Sequence, residues 1–536
     1  MNMNKKVEKT TPVKDTESIS NLSLYLITIA LTIIYFVFSR FSNGFYMHDE
    51  VANFLDMQNF WSEPMSLFGA AAKTGYKLFY VLPALGGYTF LHFFNSLVAA
   101  FTVFFAYKTL DKLGYKKPLL IFFLLGLQPL WFMLSFRNYA EMLVAFLLVF
   151  GVYQHVNKKY ILAALTVSFV AFSRTELHVV SGLYFLWLIF NKKWLAALLT
   201  GTFTVINVFV SFAMSGDILH LIKETKAYSD SIKGAYPRQG FDHFFIMSSV
   251  IFGSVTVLLF FNYIGVCILK KIKPNWIILI PTVVVFLLNC LFNALFLDFG
   301  PGGGSLRYLL TIAPLASILG IISIYEVATL SKKYLLLLFL VPTIIAIGIF
   351  QTFEHNFIKF TEVKDWSPLL FAIIAVVLLI LPLKLKHYLI SFSLLALMVT
   401  LSIVDTRKIQ PEEEIVKKAA KWYVDQIKQS KNPQNNNPVL FTEDSRLALE
   451  HALFYFYSEK NRGSFKNKPV GLTIESTDTL KKGDLVIWES HYGYRPELRP
   501  TSQKYEYYEN DPRFQKIQYY QSSDNRFTIV FFLKVS

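Results

Sequence analysis

Three ionisable residues stand together at His48-Asp49-Glu50, directly after the first long apolar run of the chain. Charges at the edge of a membrane core are costly, so such a group is a functional candidate. A carboxylate there can take the proton of an attacking hydroxyl. Cations close by can stabilise the charge that grows on a departing phosphate. Further along come Arg137, Glu141, Arg174, Glu176, His178, Asp298 and Arg307, several of them embedded in apolar sequence. Glu141 follows Arg137 by about one helical turn, which predicts that the two share a face. Arg174 and Glu176 close an apolar run, and Arg307 opens another straight after Gly302-Gly303-Gly304-Ser305. Each residue alone also reads as a solvated boundary charge. Such a boundary does not need the whole collection.

The elements that must position these groups are membrane spans. Of the 536 residues 54% are hydrophobic and only 17% charged, against about a quarter charged in soluble proteins. Apolar runs recur at 22–38, 88–107, 118–134, 139–156, 160–173, 177–191, 195–214, 244–269, 275–297, 306–324, 334–350, 367–383 and 387–404. Each approaches the length that crosses a hydrocarbon core of about 30 Å, giving about thirteen spans. The segment 78–87, with Pro83 and Gly86-Gly87, reads as re-entrant or interfacial.

Lysines set the expected orientation. Pairs or larger groups follow alternate spans, at Lys108–Lys117, Lys158-Lys159, Lys192-Lys193, Lys270–Lys273, Lys332-Lys333 and Lys384–Lys386. By the positive-inside rule these turns are cytoplasmic, as is the polar tail 1–20, and the acidic triplet is outside. The net charge of +15 therefore reports topology, and no nucleic-acid partner is expected. The first apolar run carries no small-residue cleavage site, so it is read as an uncleaved anchor. Cys267 and Cys290 fall in different spans at different depths, which argues against a disulfide.

Three regions are expected: the tail 1–20, a membrane module over 21–404 with its first outer loop at 41–77, and an outer α/β domain over 405–536. In the last, Pro411 and Glu412–Glu414 open a helix to about Ser430, since proline and acids suit a helix start. Strands are expected at 438–441, 485–488 and 527–533, and a helix at 445–460. The stretch Trp488–Tyr494 could hold a sugar on its aromatics, or serve as ordinary sheet edge.

The His-Asp-Glu triplet after span one resembles the acidic motif of the multi-spanning glycosyltransferases of the GT-C superfamily. The likeness is to polyprenyl-phosphate-mannose-dependent mannosyltransferases and their bacterial relatives. Ser305-Leu306-Arg307-Tyr308-Leu309-Leu310 is similar to the basic-aromatic start of one of their late spans. Ser135–Glu141 and Phe172–Glu176 resemble their outer loops more loosely. The likeness runs over about residues 20–325, and departs where Pro301–Ser305 stands in place of a His-Lys-Glu segment. It implies a mainly α GT-C bundle and an inverting transfer of a sugar from a polyprenyl-phosphate donor to a lipid-linked, glycan or protein acceptor. It suggests mannose as the sugar. It makes Asp49 the first choice of base and Glu50 the second. Arg137, Arg174 and Arg307 become phosphate binders, with Glu141 and Glu176 beside them, and His48 binds phosphate or holds the carboxylate.

No metal is assigned. Should a divalent ion bind, Asp49 and Glu50 would hold it, and oxygen ligands favour Mg or Mn over Zn. The competing reading is a transporter or flippase for a lipid-linked or anionic substrate, although the internal repeats usual in transporters are not evident. The Lys/Phe/Asn-rich composition, and a C-terminal region without an Asn-x-Ser/Thr acceptor, suit a bacterial inner membrane. An endoplasmic reticulum would present the same topology, with the lumen as the outer side.

Overall fold

The computed structural model describes residues 19–68, 73–232, 239–295, 304–351, 366–431, 440–460, 464–496 and 499–536. Almost all of the expected tail, together with Asp298 and Pro301–Gly303, lies outside them. The chain is a bundle of apolar helices topped at one end by a small α/β domain. Helical structure coincides with every predicted span. Among the described residues, six helices are long and apolar enough to cross a membrane, or seven if one bent pair is a single span, and five shorter apolar helices of 10–17 residues accompany them.

Three predicted spans are interrupted, the 195–214 run only by a short break between Trp194–Leu199 and Thr202–Ser215. The 118–134 run splits into Ile121–Leu124 and Pro129–Leu134, because Pro129 cannot continue the first helix but suits the start of the second. The 244–269 run is His243–Phe252 followed by Ser254–Lys270, bent through 110° at Gly253. The piece 78–87 forms the second half of a helix, Thr74–Leu85, that meets the long Gly87–Lys112 helix at Gly86.

The lysine turns gather at the end of the bundle opposite the α/β domain. Lys108 meets Asn21, Lys270 bonds Glu326 at 2.6 Å, and Lys333 bonds Tyr388 at 2.6 Å. Three of these turns close alike. Lys158, Lys192 and Lys271 sit at φ of 62°, 57° and 54°. The residue after each donates its amide back to the last helical turn, Lys159 to Gln154, Lys193 to Leu188 and Ile272 to Cys267. This is the left-handed helix closure that glycine usually makes.

At the other end the first loop meets the connector into the α/β domain. Gly44 N–H donates to the Arg407 carbonyl at 3.1 Å, and Arg407 N–H donates to Ser42 Oγ at 2.9 Å. A Cβ on Gly44 would lie 2.0 Å from the Lys408 carbonyl oxygen, so only glycine permits this approach. Phe45 packs edge-on against Phe456, and its amide donates to Glu413. The two parts thus share one core.

The α/β domain is a four-stranded sheet in the order β1-β2-β4-β3, where β1 is Leu447–Ala448, β2 Leu485–Glu489, β3 Phe514–Gln521 and β4 Thr528–Lys534. β1 and β2 are parallel, and the other pairings antiparallel. The Pro411–Ser430 helix covers one face, with Trp422 against Phe531. The expected helix at 445–460 is only Ala452–Tyr457, because Leu447 and Ala448 leave it to pair with Leu485 and Val486. In the expected strand 438–441, residues 438–439 lie outside the described residues, and Leu440–Phe441 is not a strand. β3 escaped the sequence reading because it is an edge strand whose polar side chains face water.

Candidate active site

Asp49 is the first residue of the Asp49–Asn59 helix, where a carboxylate complements the helix dipole. Its Oδ2 accepts from Arg307 Nη2 at 2.5 Å. Arg307 enters on a 3-10 turn, Leu306–Ile312, that leads into the Ala313–Ala328 helix. Its Nε lies 3.3 Å from Glu141 Oε1. Glu141 in turn contacts Arg174, and Arg174 contacts Glu176. Five charges from four separate segments therefore form one continuous row, Asp49–Arg307–Glu141–Arg174–Glu176. Aromatic faces support it: the Arg307 guanidinium lies 4.5 Å from the Tyr139 ring centre, and that of Arg174 lies 4.9 Å from Tyr308.

Asp49 stands in a hollow at the open end of the row. Protein crowds Asp49 on most sides, yet its side chain is 53% accessible. Arg307 and Glu141 are buried behind it. Arg307 Nη1 is buried and has no hydrogen-bond partner among the described residues. Lys73 faces the same charges and was not singled out in the sequence. Its neighbours are Arg307, Asp49, Glu141 and Arg174. Burial and Arg307 lower the pKa of its ammonium, against the pull of Asp49 and Glu141. Lys73 also stands at φ 50°, a left-handed conformation that lysine rarely adopts, just before the Thr74–Leu85 helix. Burial alone would raise the Asp49 pKa. The charges of Arg307 and Lys73 outweigh it and hold that pKa at about 2.

Glu50 is turned away from this hollow. It is fully buried, and its Oε2 accepts from Arg137 Nη1 at 3.0 Å and from the Tyr46 amide at 3.1 Å. Its Oε1 accepts from the Tyr88 hydroxyl at 2.7 Å. Arg137 continues to Ser42 Oγ at 3.1 Å, and Asn138 Nδ2 donates to the Glu50 carbonyl at 3.0 Å. Arg137 and Glu141 do not share a helical face as expected. The helix starts only at Ala140, behind an extended Tyr139, so the two side chains part to different partners. His48 also leaves the row. Its Nδ1 meets the Tyr492 hydroxyl at 2.8 Å, and its ring lies among His451 and His491 of the α/β domain. His178 bonds Thr175 and Thr204, away from the other charges.

Two further segments flank the site. Gly304, the one described member of the glycine run, has φ 61°. Its carbonyl lies 2.6 Å from His243 Nε2, and a Cβ there would come 2.8 Å from that nitrogen. This glycine is thus a packed turn immediately before the Arg307 segment. In the Trp488–Tyr494 stretch, Trp488 is buried and donates to the Gln503 carbonyl, so it presents no sugar-binding face. His491 and Tyr492 instead meet the acidic loop.

The whole architecture, a helix bundle whose first loop carries an acid paired to an arginine from a late helix beneath an α/β domain, has a counterpart among solved structures. Two solved structures share it. ArnT from Cupriavidus metallidurans bound to undecaprenyl phosphate superposes with a TM-score of 0.53, at 13% identity, over 96% of this chain and 98% of that one. ArnT from the same organism in the apo state gives a TM-score of 0.54, at 12% identity, over 95% and 97% of the two chains. No family model matches the sequence, and no curated protein does. At this identity the likeness establishes the fold, and the chemistry must be argued from the site.

Proposed function

We propose that the protein is a membrane glycosyltransferase that moves a sugar from a polyprenyl-phosphate donor to an acceptor hydroxyl on the extracytoplasmic side. The observation that carries the reading is the pairing of Asp49 with Arg307 at 2.5 Å, with Lys73 beside the same charges. An anion fits there, because Arg307 Nη1 has a free donor and Lys73 supplies a second cation. The solved ArnT of the same fold is bound to undecaprenyl phosphate. The lysine turns at the opposite end of the bundle support a cytoplasmic position for that end, and an extracytoplasmic one for the acidic loop.

In the proposed reaction the donor phosphate takes over Arg307 and Lys73. This relieves Asp49 of its ion pair and raises its basicity. Asp49 then removes the acceptor hydroxyl proton as the oxygen attacks the anomeric carbon. The bond from that carbon to the phosphate oxygen breaks, and polyprenyl phosphate leaves with its charge held by Arg307 and Lys73. Arg174, Glu141 and Glu176 orient Arg307. Glu50, whose oxygens are all engaged by the protein, holds the loop rather than the proton. An apolar cleft of about 210 Å³, lined by Phe252, Phe260, Phe286, Ile312 and Ala316, opens beside the Arg307 segment and suits part of a prenyl chain. Mannose is the sugar suggested by the sequence resemblance, and the proposal covers any sugar the acceptor side accommodates.

Binding of undecaprenyl phosphate tests the anion site directly. Titrated into detergent-solubilised protein, it is expected to bind about tenfold or more weaker to Arg307→Ala and to Lys73→Ala, a loss of at least about 1.4 kcal/mol. Equal affinity in all three proteins would remove the phosphate from this hollow.

A further inference from the structure

The acidic loop meets a cluster of imidazoles that the transfer reaction does not use. His48, Glu412, His451 and His491 each point one ligand atom into a common space, and these atoms lie within 4.8 Å of one another. Glu412 Oε1 is the hub. It stands 2.7 Å from His491 Nδ1, 3.0 Å from His451 Nε2 and 3.7 Å from His48 Nε2. We propose that these four residues bind a zinc ion that clamps the α/β domain to the catalytic loop.

The donor set and the geometry carry the assignment. Three neutral imidazoles and a carboxylate are a zinc set, whereas Mg and Mn prefer oxygen ligands. Donors around a tetrahedral zinc stand about 3.3 Å apart, given bonds of about 2.0–2.1 Å. The carboxylate-to-imidazole distances bracket that value, and since all four atoms lie within 4.8 Å of one another, the imidazoles must draw together by up to about 1.5 Å to complete the site. The ligands come from four places: the residue before the Asp49–Asn59 helix, the first turn of the Pro411–Ser430 helix, the residue before Ala452–Tyr457, and the turn after β2. Four protein ligands leave no open position, which marks a structural rather than a catalytic ion.

The surroundings orient the ligands. In the tautomer that binds an ion, His48 Nδ1–H donates to the Tyr492 hydroxyl oxygen at 2.8 Å, which leaves Nε2 free for the ion. Glu489, fully buried, accepts the amides of both His491 and Tyr492 and so fixes the turn that carries them. His451 is fully buried. Its Nδ1 accepts from the Leu453 amide at 3.3 Å, which places the ring proton on Nε2 beside Glu412. On loading, that proton moves to Nδ1, the ion takes Nε2, and the amide gives up a long bond. His48 is covalently adjacent to Asp49, so the clamp also sets where the Asp49–Asn59 helix begins.

The test uses the full chain in detergent, purified through a tag without histidine, stripped with EDTA and dialysed against Zn²⁺. Metal content is then read by mass spectrometry. About one zinc per chain is expected, falling at least about tenfold in His451→Ala/His491→Ala. A Co²⁺-loaded wild-type sample should show the visible bands of four-coordinate cobalt with N/O ligands, a readout that does not depend on any variant folding. Wild-type protein that retains no zinc, or cobalt that stays six-coordinate, overturns the proposal and leaves a hydrogen-bonded His–Glu cluster. Full zinc content in the double variant also overturns it. The assay reads metal alone, so its outcome is independent of the transfer reaction.

Discussion

Asp49→Asn transfers sugar about 10²–10⁴-fold more slowly than the wild type, the range lost when a positioned general base is removed. Its folding is unchanged. The prediction rests on the geometry on both sides of the carboxylate. On one side Arg307 keeps a second partner in Glu141, 3.3 Å from its Nε, so losing the Asp49 charge does not leave a buried guanidinium alone. On the other side Asp49 is open to the hollow, and asparagine fills the same space. The amide can still hydrogen-bond the acceptor, but it cannot take its proton. Initial rates on the purified variant check this, with size-exclusion and thermal profiles run alongside. A variant that turns over at the wild-type rate removes Asp49 from the chemistry.

Arg137→Ala is expected to act in the opposite way, through stability. Glu50 and Arg137 are both fully enclosed, and removing one partner of such a pair costs about 3–5 kcal/mol, because the other charge is left buried and uncompensated. The loss spreads further, since Arg137 also donates to Ser42, and Ser42 receives the Arg407 amide from the connector. The variant should therefore unfold at a markedly lower temperature and show earlier proteolysis near residues 405–410. An unchanged midpoint would mean that Glu50 is stabilised by Tyr46 and Tyr88 alone.

The contrast between these two acids shows where sequence reasoning ran out. That His48-Asp49-Glu50 matters could be read directly, because charges beside an apolar run carry a solvation cost that something must offset. The same argument found Arg307, Glu141, Arg174 and Glu176, which the fold brings into one row. Which acid faces the hollow could not be read. It depends on Tyr88 and Arg137, 38 and 87 residues away from Glu50. Lys73 was passed over because a lone lysine in a loop reads as solvated, and only the fold encloses it. The histidine cluster was invisible for a similar reason: His451 and His491 lie more than 400 residues beyond His48 in sequence. The spans themselves were legible from apolar length and lysine spacing. Their breaks depend on Pro129 and Gly253, and the two-residue β1 exists only because β2 is there to pair with it.

The most direct measurement of the central claim follows the donor lipid. Purified protein is reconstituted in vesicles with radiolabelled polyprenyl-phosphate sugars and a membrane extract as the source of acceptor. Release of free polyprenyl phosphate together with a labelled product, abolished by Asp49→Asn, is the predicted result. Movement of intact sugar-lipid across the bilayer that survives Asp49→Asn, without cleavage, would contradict the account and make the protein a flippase.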